Sequence, residues 1–101
     1  MTTLDDGPMD LKILPVYFDE VLGGHKRFEV RKNDRNYQVG DEYCLREWVP
    51  PIARCMTGIL GQDRSHYTGR RMHVVITYVL NDVPGIEHGY CVWGFRPLQM
   101  P

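Results

Sequence analysis

Between residues 23 and 35 the chain sets Lys26, Arg27, Arg31, Lys32 and Arg35 beside only two acids, Glu29 and Asp34. Five cations against two carboxylates give this stretch a local charge of +3, whereas the whole chain of 101 residues carries −1. A nearly neutral small protein that gathers cations at one turn has the electrostatic footprint of a site for an anion. The competing reading is a solvated, charged strand edge. Lys26 offers a compact ammonium suited to a phosphate or a developing oxyanion. Glu29 and Arg31 stand two apart, so on a strand both project to one face. Lining a cleft, the carboxylate would accept from a base's amino group while the guanidinium clamps a phosphate or a carbonyl. A buried Lys26–Glu29 pair could instead serve as acid and base. The structural alternative is an ion pair that ties the strand to the loop of Asp34 and Arg35. Gly24 lets backbone approach a ligand closely and exposes nearby amides.

Three aromatics near expected loops, Tyr37, Trp48 and Tyr67, are candidates for stacking on unpaired bases, although an aromatic in a small β-domain is more often core. Trp93, inside a strand pattern, reads as core. Arg64, His66, Arg70 and Arg71 form a second basic group, either an extension of a phosphate track or a solvated loop end. Ser65 and Thr68 lack a matching His and Asp arrangement, and no Walker or dinucleotide glycine pattern is present. Cys44, Cys55 and Cys91 form no C-x-x-C pair. With His25, His66, His73 and His88 they show no zinc-ligand spacing, so no metal and no cofactor is expected. Cys44 and Cys91 sit in apolar strand patterns and read as small buried hydrophobes; Cys55 falls in an irregular stretch.

These residues have to be positioned by one domain, since the chain is long enough for a single core. No run approaches the ~20 apolar residues of a membrane span. The first residues lack the basic and apolar regions of a signal peptide. A cytoplasmic protein of a bacterium, or of a phage that works in one, is expected. Residues 1–8 read as a loose tail before a domain over 9–97. Met9 to Leu14 alternates as a first strand, with Leu11 and Ile13 on one face. Pro15 suits the first turn of a helix, on which Phe18, Val21 and Leu22 share a face and Asp19 and Glu20 favour the positive end of the dipole. Gly23-Gly24 ends it. Phe28 and Val30 alternate with Glu29 and Arg31 as a half-buried strand. Asn33–Asn36 and Val39–Asp41 are turns, and Glu42 to Val49 is the next strand. A long loop is expected over 50–69, with one helical turn around Ile52 to Met56; a loop of this length in so small a domain suggests a functional flap or poor order. Arg70 to Leu80, rich in β-branched residues and apolar on both faces, predicts a central strand. Asn81 to Gly89 is a loop and Tyr90 to Phe95 a last strand. About five short strands and one helix between the first two predict an α+β, mainly β architecture: a small, partly open mixed β-barrel.

The run Gly24-x-Lys26-x-x-Glu29-x-Arg31, directly after a helix, resembles the hallmark of the ASCH group of the PUA-like superfamily. Further blocks resemble a family of short ASCH-like proteins of phages and bacteria, filed as a domain of unknown function. They are Leu11–Pro15, Glu29–Arg35, Gly40-Asp41, Leu45–Trp48, Tyr67–Arg70 and Thr77–Leu80, and the resemblance covers about residues 10–96. It implies the PUA-like barrel and binding of RNA or a nucleotide-like ligand between helix and barrel, through Gly24, Lys26, Glu29 and Arg31 with Arg35 flanking. One branch of the superfamily, the acetylcytidine amidohydrolases, uses the lysine and the threonine of this run with a late glutamate. It implies, as an alternative, an amidohydrolase on an acylated nucleoside with Lys26 and Glu29 in catalytic roles. Here Glu29 replaces that threonine, and only Glu87 stands in a loop comparable to that of the late glutamate. A third reading is a phage protein that binds a host protein through the 50–69 loop.

Overall fold

The structure, a computed structural model, describes residues 9–51 and 64–98. Five strands and one helix follow in the order β1 (Asp10–Ile13), α1 (Pro15–Leu22), β2 (Phe28–Lys32), β3 (Glu42–Val49), β4 (His66–Asn81) and β5 (Tyr90–Pro97). They form a single curled sheet, a half-barrel, in the spatial order β1-β3-β4-β5-β2. β1 runs parallel to β3, and every other pairing is antiparallel. The β-branched run of β4 occupies the centre, while β1 and β2 are the open edges. Register shifts between Arg46 and Trp48 and between Ile76 and Tyr78 interrupt the ladders. Irregularities of this kind increase local twist and help a sheet to curl.

The concave side holds the core. Leu11, Ile13, Leu45, Val74, Ile76, Trp93 and Phe95 pack there, covered by Phe18 and Val21 of α1. Each fully buried large side chain of this kind contributes roughly 1.5–3 kcal/mol of transfer free energy. The rings of Tyr37, Tyr43 and Phe95 surround Trp93 with centroids 5.3, 6.0 and 5.8 Å away. Cys44 and Cys91 are buried free thiols, and burial pushes both up in pKa.

Several expectations are corrected in detail. β4 begins at His66, not Arg70, so residues 66–69 belong to the sheet and not to the long loop. Its first residues pair with the end of β3, Tyr67 opposite Trp48 and His66 opposite Val49. This extension contains Gly69 and polar residues, so no apolar alternation marks it. Leu22 is 52% exposed, and only Phe18 and Val21 of the expected helical face are buried. Asp19 and Glu20 lie beyond the first turn and take Arg70 and His25 as partners. The left-handed residue after α1 is Gly24, at φ +84°, while Gly23 stays right-handed. The expected tail at 1–8, the helical turn around Ile52 to Met56, and Cys55 lie outside the described residues.

Candidate functional site

Lys26 reaches its place because the chain folds back on the end of α1. The amides of His25 and Lys26 both donate to the Glu20 carbonyl, at 2.9 and 3.1 Å. The positive φ at Gly24 makes that reversal cheap, where any L side chain would be strained. The chain then enters β2 with its alternation inverted. Glu29 is 5% exposed, whereas Phe28 and Val30 are 47% and 59% exposed. Glu29 lies opposite the buried Trp93 in the β5 ladder, which fixes it on the concave face.

A buried carboxylate requires compensation, and two cations supply it. Lys26 Nζ lies 2.5 Å from Glu29 Oε2 and also donates to the Phe28 carbonyl at 2.6 Å. Arg31 donates from Nε to Glu29 Oε1 at 3.1 Å and from Nη2 to the Lys12 carbonyl at 2.6 Å. The Lys26 ammonium further sits over the Phe28 and Tyr17 rings, 4.9 and 5.4 Å from their centroids. One carboxylate thus holds two cations, leaving the triad a net positive charge.

A hollow of about 360 Å³ opens between α1 and β2, lined by Tyr17, Lys26, Phe28, Glu29 and Val30. It combines aromatic and aliphatic walls with a carboxylate and an ammonium, the mixture that suits a flat, partly polar ring. Arg31 does not line it. Arg31 and Arg35 instead border a separate hollow with Leu11, Lys32, Asp34 and Tyr37. Lys26, Glu29 and Arg31 therefore meet in one network whose two sides face different hollows. Gly24 acts one step back, by shaping the turn, and the Arg27 guanidinium would stand 3.4 Å from a Cβ there.

The stacking candidates are not brought to this place. Tyr37 is core, its ring packed 5.2 Å from Tyr43 and 5.3 Å from Trp93, so its faces are covered. Trp48 and Tyr67 are cross-strand partners. Trp48 lies on the convex side, where Lys12, the exposed residue between buried Leu11 and Ile13, reaches its ring. Lys12 Nζ lies 5.0 Å from the Trp48 centroid, and the Arg46 guanidinium 3.8 Å from that of Tyr67.

A second buried carboxylate, Glu47, went unread in the sequence. It receives Thr68 Oγ1 at 2.6 Å and Arg70 through Nε and Nη2, both at 2.8 Å. Arg70 also donates to Asp19 at 2.8 Å and lies over the Phe18 ring. The hydrogen bonds from Arg70 and Thr68 hold the Glu47 carboxyl down at about 2, against the opposing effect of burial, and the same contacts raise the Arg70 pKa. Arg70 is thereby spent on docking α1 to the sheet, not on extending a phosphate track. The signal was present: Tyr43, Leu45 and Glu47 share one face, so an acid falls in line with two core residues. Tyr17 and Phe28 were missed as site residues because their role depends on an inverted strand.

Among the described residues no group of three or more His, Cys, Asp or Glu could hold a metal ion. No helix among them is long and apolar enough to cross a membrane.

Residues 9–95 match the model of a family described as a domain of unknown function, DUF3850. The chain is also similar to an uncharacterized 12.9 kDa protein in the GpA 3' region of Escherichia phage P2, 40% identical over 70 residues. That alignment covers 69% of this chain and 51% of the phage protein, so the chain spans about half the length of this curated relative.

Proposed function

The chain belongs to the DUF3850 family, and from its site we propose that it binds RNA or a nucleotide-like ligand in the cleft between α1 and the half-barrel. The observation that carries this reading is the hollow of about 360 Å³ in which Tyr17 and Phe28 stand beside the Lys26–Glu29 pair. A base entering there meets aromatic surface for stacking and a carboxylate that accepts from its ring or exocyclic N–H groups. Lys26 adds a positive charge and N–H donors to the same hollow, suited to a carbonyl or ring-nitrogen acceptor of the base. The reading includes membership of the ASCH group of the PUA-like superfamily, supported by the Gly24-x-Lys26-x-x-Glu29-x-Arg31 run and by the half-barrel with its helix between β1 and β2. It also implies a cytoplasmic site of action, where such ligands are met.

Fluorescence anisotropy with single-stranded and hairpin RNAs tests it. Binding should weaken as salt rises, with a linear dependence of log affinity on log salt. Lys26→Ala and Phe28→Ala should each lower affinity by about tenfold or more, equivalent to about 1.4 kcal/mol. Binding that neither variant alters would remove the cleft from the account. Turnover of acetylcytidine that disappears in Lys26→Ala would replace binding with amidohydrolysis, the reading in which Lys26 and Glu29 exchange a proton.

A further inference from the structure

The second hollow on β2 has a chemistry of its own. It measures about 120 Å³ and is lined by Leu11, Arg31, Lys32, Asp34, Arg35 and Tyr37. Its lining sets three cations, one of them the Arg31 that also pairs with Glu29, against the single acid Asp34, in a space far smaller than the base-sized hollow beside Lys26. Arg31 uses Nε and Nη2 on Glu29 and Lys12, and its Nη1 protons have no partner among the described residues. Its guanidinium is held from behind by these contacts, so it presents donors without needing to reorganise.

Tyr37 adds a neutral group to this lining. The residue is 3% exposed and borders the hollow, its ring held in the core against Tyr43 and Trp93. Arg31, Arg35 and Asp34, which border the hollow with Tyr37, also act electrostatically on its hydroxyl. Burial pushes its pKa up to about 12, so it remains an O–H donor at neutral pH.

We propose that this hollow is a phosphate subsite, in which Arg31, Lys32, Arg35 and the Tyr37 hydroxyl hold the phosphate of a nucleotide whose base occupies the hollow beside Lys26. The inference rests on the nucleotide reading above and gives it polarity. Glu29 lines only the larger hollow but links the two sides, its Oε2 bound to Lys26 and its Oε1 to Arg31, which borders the smaller one. Residues 29 and 31 lie about 7 Å apart along a strand, a separation of the order of that between base and 5'-phosphate in one nucleotide. Taken over both hollows, Lys26, Arg31, Lys32 and Arg35 against Glu29 and Asp34 leave two positive charges in excess, the charge of a phosphate dianion.

Titration of the isotope-labelled protein with adenosine, AMP and inorganic phosphate, followed by amide NMR, separates the two hollows. Phosphate alone should shift amides of residues 31–37, adenosine those of 26–30, and AMP both. AMP should bind about tenfold or more tightly than adenosine. Lys32→Ala and Tyr37→Phe should each cut that ratio several-fold, Tyr37→Phe with the ring packing kept. An AMP-to-adenosine ratio near one, with residues 31–37 unshifted by phosphate, overturns the subsite even where adenosine binds. Shifts from phosphate without any from adenosine remove the base hollow and the nucleotide polarity, leaving an anion site. No shift from any of the three overturns both.

Discussion

Arg31 donates from Nη2 to the carbonyl oxygen of Lys12 at 2.6 Å, across two strands that lie at opposite ends of the sheet order. β1 and β2 are the two open edges of the half-barrel, and no ladder joins them among the described residues. The guanidinium bridges this gap while also holding Glu29. A residue nominated for a ligand is therefore part of the frame that shapes the ligand's hollow.

Arg31→Ala should destabilise the protein by about 3 kcal/mol, because it breaks a buried ion pair and strands the Glu29 carboxylate with Lys26 alone. Arg31→Lys should fall between, since an ammonium cannot reproduce the fork that reaches two acceptors. Urea denaturation measures the loss. Native-state hydrogen exchange should show it concentrated in β1 and β2, with β3 and β4 little changed.

The docking of α1 is pH-sensitive through Glu47. Its folded pKa of about 2 lies below the unfolded carboxylate value, so as pH falls the unfolded chain takes up the proton first. The stabilisation is present in full above about pH 5 and is lost as pH drops towards about 2. Glu47→Gln should cost about 1–3 kcal/mol at pH 7 through the loss of charged hydrogen bonds. The gap between variant and wild type should narrow in urea melts as pH is lowered from 5 to 2. A gap constant over that range would show that Arg70 and Thr68 do not hold the carboxylate.

Trp93 is fully buried, and its indole Nε1 has no hydrogen-bond partner among the described residues. Trp93→Phe removes that unmet donor while losing volume, so the two effects oppose and the net change should stay within about 1.5 kcal/mol. Trp93→Ala leaves a cavity among Tyr37, Tyr43 and Phe95 and should cost about 3–5 kcal/mol. Equilibrium denaturation of the two variants provides the comparison.

The elements that carry their own pattern were legible. The β-branched centre of β4, the proline and glycine limits of α1, and Leu11 with Ile13 on one face of β1 all announce themselves locally. What escaped depended on distant partners. The start of β4 at His66 is fixed by pairing with Trp48 and Val49, which no local alternation reports. Phe28 and Val30 turn outward because Glu29 has two cations to bury with, so a pattern that reads as an ordinary half-buried strand is inverted. Tyr37 reads equally well as a loop aromatic or as core; only the fold sets it against Trp93. At the site, the run from Gly24 to Arg31 identified the charged residues. The aromatic walls and the division into two hollows came from three-dimensional placement.

The hollow between α1 and β2 is tested most directly by a crystal structure of the protein with AMP. The account predicts the base against Tyr17 and Phe28, with an N–H within about 3.2 Å of a Glu29 carboxylate oxygen, and the phosphate on the Arg31 side. A complex in which the nucleotide lies on the convex face at Trp48 and Tyr67, with the Lys26 hollow empty, would contradict it.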